Sequence, residues 1–247
     1  MPIRAVLFDL GHTLWHIPEP PPVEAVRNET VRRILQQLRS WGIEPEERHR
    51  FLGRDIRLAV EAAVTGAYES DLREPDYAAL ARTVAAAKGL SLTREQGEDL
   101  WETWNLGGAF FGRRLFDDAI DTLATLRERG YRLGSVTNRS YAGPSFVAEV
   151  EEHGLVDLFE VIAVSCDLGY MKPHPEIFQH ALDAMGIEPQ ETVMVGDSLF
   201  ADVAGAQALG MTAIWRRRPE TREQVDGVQP DFVVDELRQI PQLPCFD

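Results

Sequence analysis

Val6-Leu7-Phe8-Asp9-Leu10-Gly11-His12-Thr13-Leu14 is an apolar run that stops on a carboxylate and then turns through a glycine. An unmixed apolar run bounded by turn signals reads as a strand buried on both faces, as the strands of a parallel sheet are. Working outward, Val136-Thr137-Asn138 and Val195-Gly196-Asp197 repeat the texture, each an apolar strand ending on polar side chains. Between them Lys172-Pro173 sets a lone lysine at the opening of a Pro-marked helix, and Asp202 follows Asp197 by five residues.

From Arg113 onward strand and helix patterns alternate. Strands are predicted at 3–8, 133–137, 161–165, 192–195, 212–215 and 232–234, with helices at 119–129, 144–153, 175–185 and 200–209. Gly130, Gly154, Gly186 and Gly210 stand where helix C-caps call for glycine. Such alternation implies an α/β fold with a parallel sheet covered on both faces. Ligands of these sheets bind at the carboxyl ends of the strands, so Asp9, Thr137 and Asp197 are expected on one rim. Residues 23–106 differ in texture. Pro18, Pro20, Pro21 and Pro22 make a stiff break, after which Val23, Val26, Val31, Ile34, Leu35 and Leu38 recur at mainly helical spacing. Further helices are predicted to open at Pro45, at Pro75 and, through a Thr93–Gln96 capping box, after Thr93, with Gly107-Gly108 as the break. This block reads as a small helical bundle inserted between two halves of the α/β domain.

Forty acidic against 25 basic residues give a formal net charge of -15, a field that repels nucleic acid and anionic membranes. No apolar run is long enough to span a bilayer. Two cysteines, Cys166 and Cys245, make no disulfide framework, and no signal-peptide pattern precedes the first strand, so a cytoplasmic protein is expected. Arg216-Arg217-Arg218 reads as a solvated loop after a strand rather than a polyanion site. Cys166 reads as a strand-end filler, Trp101 and Trp104 as bundle core, and His174 as a loop residue. Trp15, immediately after the first motif, is the aromatic expected near the hinge of the inserted block.

A carboxylate at the position of Asp9 can attack phosphorus and split a difficult displacement into two steps. Paired carboxylates at Asp197 and Asp202 suit Mg²⁺, a hard cation that prefers oxygen ligands. Singly, each residue reads as a turn residue, a cap or a surface charge; in order and at strand ends they resemble the four motifs of the haloacid dehalogenase (HAD) superfamily. Most members are Mg²⁺-dependent phosphatases. The resemblance implies a Rossmann-like core at 1–17 and 112–247, an α-helical cap at 18–111, and a small phosphorylated metabolite as substrate. It also implies a nucleophile at Asp9, phosphate held by Thr137, Asn138 and Lys172, and Mg²⁺ held by Asp9, the Gly11 carbonyl, Asp197 and Asp202.

One position departs from the pattern. Phosphatases of this superfamily usually carry a second Asp two residues after the nucleophile, as acid and base, and here Gly11 stands there. Losing such a group costs about 10²–10⁴-fold, or roughly 3–5 kcal/mol of barrier. Adjacent His12, which titrates near neutrality, is the candidate surrogate. Two alternatives stay open: a non-catalytic phosphate-, metabolite- or partner-binding protein, and a 2-haloacid dehalogenase-like enzyme. The latter branch lacks the second Asp but usually has an aromatic residue there and no metal-binding acid pair.

Overall fold

β1 (Ala5–Phe8) is buried at every position, and its period-2 alternation sorts the side chains into two cores. Val6 and Phe8 enter one, Ala5 and Leu7 the other. Each fully buried large apolar side chain of this kind contributes about 1.5–3 kcal/mol. The computed structural model describes residues 1–218 and 224–246.

A tight turn leads from β1 to β2 (Trp15–His16), and the proline segment then delivers the chain into α1 (Val23–Ser40). α2 (Leu52–Tyr68), α3 (Tyr77–Ala87), α4 (Arg94–Trp104) and α5 (Gly107–Phe111) follow. α1 buries Ile34 and Leu38 of the stripe read from spacing and half-buries Val26, Val31 and Leu35; Thr30 joins the buried face, while Val23, at the helix start, is exposed. Thr93 caps α4 reciprocally with Gln96 as expected. Three details differ from the sequence reading. A 3₁₀ turn at Glu47–Phe51 precedes α2, so the helix proper starts at Leu52 and not at Pro45. Gly107-Gly108 opens a short helix instead of ending the block, and the break falls at Gly112 with φ 66°. β3 (Arg114–Leu115), absent from the sequence reading, returns antiparallel to β2.

The alternation resumes with α6 (Ala119–Glu128), β4 (Arg132–Thr137), α7 (Pro144–Glu152) and β5 (Ile162–Val164). α8 (Ser165–Leu168) starts where a strand residue was expected, so Cys166 lies on a helical turn. α9 (Pro175–Met185), β6 (Thr192–Gly196), a π-helical turn at Leu199–Ala204, α10 (Gly205–Ala208), β7 (Thr212–Arg216) and β8 (Phe232–Val234) complete the sequence. The four cap glycines all take positive φ, 91°, 68°, 57° and 82° in chain order, a region open to glycine at little cost.

The sheet order is β5-β4-β1-β6-β7-β8, and every pairing in it is parallel. The α/β class, with a Rossmann-like parallel sheet, is as the sequence implies. From β1 the chain builds outward one way through β4 and β5, then crosses back to β6 and builds the other way. The crevice where the order reverses is where such sheets bind ligands. It lies between the carboxyl ends of β4, β1 and β6.

The helical block meets this rim. Glu74 N donates to Gly169 O at 3.0 Å and Met171 N to Leu72 O at 2.8 Å, a two-bond main-chain strap. Trp101 Nε1 donates to Ser140 O at 3.1 Å, and the Tyr141 hydroxyl to Glu102 Oε1 at 3.1 Å. Trp101 and Trp104 stack at 4.9 Å inside the bundle, as packing rather than as site. No helix among the described residues is long and apolar enough to cross a membrane.

Candidate active site

Asp9 is held at the end of β1 by its own amide, which donates to Val195 O at 2.9 Å and so seats it against β6. The chain turns at once: the amides of Thr13, Leu14 and Trp15 all point to Leu10 O, and His12 N donates to Trp15 O at 2.7 Å. The turn forces His12 to φ 57°, a left-handed conformation that costs a non-glycine residue about 1–2 kcal/mol. Gly11 and His12 are thereby placed on the lip of the crevice, both lining its cavity of about 500 Å³.

Lys172 is the pivot of the floor. Its side chain is buried, and Nζ donates to Asp9 Oδ1 at 2.8 Å, Asp202 Oδ1 at 2.6 Å and Val136 O at 2.7 Å. All three ammonium hydrogens are therefore spoken for. Burial works to lower the Lys172 pKa, but Asp202 and Asp9 outweigh it and hold the group above its ordinary value. The backbone of Lys172 is clipped by Asn138, whose Oδ1 accepts from Lys172 N at 2.7 Å while Nδ2 donates to Lys172 O at 3.0 Å. The second Nδ2 hydrogen goes to the Tyr68 hydroxyl at 3.0 Å. Both hydrogens of this carboxamide are thus engaged by protein; the side chain braces the lysine, while Thr137, buried at the end of β4, lines the cavity.

Asp202 Oδ2 accepts from Ser198 N at 3.0 Å. A Cβ at Gly196 would lie 2.1 Å from Asp202 Cγ, so the glycine before Asp197 is what lets Asp202 reach the floor. Asp197 Oδ2 pairs with Arg218 Nε at 3.0 Å. Asp9, Asp197 and Asp202 each bring one carboxylate oxygen to within 4.8 Å of the others. Burial first, then the charges of Asp9 and Asp202, push Asp197 up to about 7. Burial and Asp9 likewise push Asp202 up, against the pull of Lys172. Three oxygen donors converging while two of them resist ionisation is the signature of a site short of positive charge, which fits a hard divalent cation.

His12 and His16 also line the cavity. His12 is lowered by burial and then by Arg218, with Asp9 opposing, so its imidazole is neutral near pH 7. A Cβ at Gly11 would find only Asp9 Oδ2, at 4.0 Å, so the missing carboxylate has left open space.

The arginine run is not a solvated loop. Arg216 is buried, its guanidinium 3.8 Å above the Phe116 ring and donating to His12 O at 2.8 Å. Arg217 alone is solvated, paired with Asp235 at 2.9 Å, and Arg218 reaches Asp197. The reason is topological: β7 lies beside β6, so residues leaving β7 pass the same rim. Tyr68, Arg113 and Arg139 also line the cavity and were not anticipated. Arg139 directly follows the Thr137-Asn138 motif, a signal that could have been used; Tyr68 and Arg113 carry none. Trp15, expected near the hinge, lines the cavity. Burial pushes the Cys166 thiol up to about 12, which suits an inert filler. His174 caps α9, accepting from Glu176 N at 3.2 Å.

Comparison with known proteins places these features in context. A family model described as haloacid dehalogenase-like hydrolase matches residues 3–210. The glyceraldehyde 3-phosphate phosphatase of Methanopyrus kandleri is 29% identical over 241 residues, covering 96% of this chain and 95% of the relative. Among solved structures, the HAD phosphatase from Thermococcus onnurineus is 26% identical with a TM-score of 0.57, covering 97% of both chains. The 2-haloacid dehalogenase from Pseudomonas syringae pv. Tomato is also 26% identical, with a TM-score of 0.66 and 97% coverage of both chains.

Proposed function

This chain belongs to the haloacid dehalogenase-like hydrolases, and from that premise we propose that it is a Mg²⁺-dependent phosphatase of a small phosphorylated metabolite, working through a phosphoryl group carried on Asp9. The observation that carries the proposal is the floor itself: Asp9 with one oxygen pinned by Lys172 and the other without a hydrogen bond among the described residues, beside Asp197 and Asp202. Asp9, Asp197 and Asp202 would hold the cation, with the Gly11 carbonyl beside them. When bound, Mg²⁺ would supply positive charge against a phosphate dianion in a site otherwise lined by three carboxylates.

The chain's own residues account for the rest. Asp9 Oδ2 attacks phosphorus, the bond to the leaving oxygen breaks, and that oxygen takes a proton from solvent water. Water then attacks the same phosphorus, the Asp9–phosphorus bond breaks, and inorganic phosphate leaves with Asp9 restored. Lys172, fixed by three bonds, keeps Asp9 aimed and offsets charge in both steps. Thr137 lines the phosphate end, and Asn138 keeps Lys172 in place. His12, neutral near pH 7, is suited to taking the proton of the attacking water, the role Gly11 cannot fill. The helical segment 18–111 acts as the cap, closing with Tyr68 over Asn138.

The similarity to a dehalogenase favours a second reading, in which Asp9 displaces halide from carbon without metal. Against it stands the convergence of Asp197 and Asp202 on Asp9, which metal-free displacement does not need. The M. kandleri relative suggests glyceraldehyde 3-phosphate as a first substrate to try. The test is phosphate release from phosphate esters and acyl phosphates, with Mg²⁺ and with chelator, beside an Asp9→Asn control. Mg²⁺-dependent release that vanishes in Asp9→Asn is expected. Full phosphoryl labelling of Asp9→Asn, or halide release from a 2-haloacid without added metal, would overturn the reading.

A further inference from the structure

Besides the three acids, the cavity is lined by two arginines, Arg113 and Arg139. Arg113 Nη1 donates to both Glu149 oxygens at 2.7 Å, and Arg139 Nη2 lies 3.7 Å from Glu149 Oε2. Both guanidinium carbons sit over the Trp15 ring, at 5.2 Å and 5.7 Å, and Arg139 is 4.4 Å above Phe146. Glu149 is 5% exposed and packs so close to Gly108 that a Cβ there would lie 1.5 Å from Oε1. The arrangement is therefore built in: stacking fixes both planes, and a glycine is reserved for the carboxylate between them. Two half-buried arginines share one glutamate, and although Arg139 Nε also donates to Tyr141 O at 3.2 Å, one positive charge of the trio has no carboxylate of its own at the cavity surface.

Leaving such a charge desolvated is costly unless something completes it. Burial, and then repulsion from Arg113, lower Arg139 to about 10, with Glu149, Cys166 and Asp9 opposing. A planar guanidinium fork matches a carboxylate in shape and charge. One net positive charge balances a monoanion and not a phosphate dianion.

We propose that Arg113 and Arg139 form a carboxylate subsite, so that the substrate is a phosphate monoester bearing a carboxylate on the group released. The inference rests on the phosphatase reading for the other end of the molecule, where the phosphate would meet Asp9. The cavity of about 500 Å³ suits a metabolite of that size.

The test compares 3-phosphoglycerate, glycerol 3-phosphate and 1,3-propanediol bisphosphate with Mg²⁺, reading both phosphate release and thermal stabilisation. The second readout registers binding whether or not the ester is cleaved. In wild type, 3-phosphoglycerate should exceed glycerol 3-phosphate by about tenfold or more in kcat/KM or affinity. Arg139→Gln should bring that ratio close to one, and Arg139→Lys should restore part of it, as a charge without the fork. Because removing Arg113 strands Glu149, Arg139 is the position substituted, and circular dichroism checks folding. A wild-type ratio near one, a ratio unchanged in folded Arg139→Gln, or a preference for the bisphosphate would overturn the carboxylate assignment. A carboxylate preference in stabilisation with no phosphate released from any ester would support the subsite and overturn the phosphatase reading instead.

Discussion

Substituting Gly11 by Asp tests whether the open space beside Asp9 is the reason for any shortfall in catalysis. The backbone permits it: Gly11 is outside the left-handed region, and its Cβ would meet nothing closer than Asp9 Oδ2 at 4.0 Å. The new carboxyl group would stand roughly 5 Å from that of Asp9, where like charges repel by about 3 kcal/mol at an effective dielectric constant of about 20. That repulsion lifts the new group's pKa from about 4 to about 6, into the range useful for an acid at neutral pH. A positioned acid–base group is worth about 10²–10⁴-fold. The gain depends on the leaving group, because a poor leaving oxygen needs a proton and a good one does not. Glycerol 3-phosphate turnover should therefore rise by about 10² or more, and acetyl phosphate turnover much less. The assay is steady-state phosphate release with Mg²⁺ for both substrates, in wild type and Gly11→Asp, with thermal melts confirming the fold. Equal changes for the two substrates, or no change for the poor leaving group in folded protein, would refute the reasoning.

Lys172→Met should destabilise the protein by about 3–5 kcal/mol, because it strands Asp9 and Asp202 without their buried cation; urea denaturation measures this. Gly196→Ala should weaken Mg²⁺ binding by displacing Asp202, whose Cγ lies 2.1 Å from the new methyl position, and calorimetric titration with Mg²⁺ reads the loss. Without metal, stability should fall as pH rises from about 4 to about 7, because Asp197 binds its proton more tightly folded than unfolded. The sign follows from proton count: the folded state holds more protons across that window, so raising pH favours the unfolded chain. Saturating Mg²⁺ should flatten the slope and add about 2.7 kcal/mol at a hundred times Kd, as melts across pH would register.

The acid floor was legible because its residues sit at the ends of buried strands. An apolar run stopping on Asp9, Thr137 or Asp197 states both the strand and its exit, and a parallel sheet aligns the exits. Lys172 could be placed only through the family resemblance, since its three bonds join residues 30 to 163 positions away. Arg218 was misread because a run of like charges reads as solvated unless the neighbouring strand is known. β2 and β3, two residues each, are too short to show alternation. Tyr68 and Arg113 depend on how the helical block folds back on the sheet, and no local pattern encodes that. The Asn138 side chain bonds Lys172, a partner 34 residues on, which no local pattern could show.

The strap between Leu72–Glu74 and Gly169–Met171 is made of main-chain atoms alone. It grips one residue before Lys172, so the block is registered against that lysine by bonds that use no side-chain atom, although Leu72 at φ 58° and Gly169 at φ 82° hold left-handed backbone to make them. Substitutions that reshape the cavity wall, at Tyr68 or Arg113 for instance, can therefore accumulate without loosening the join. Inheritance can retool what the pocket accepts while the fit of its door is handed down unchanged.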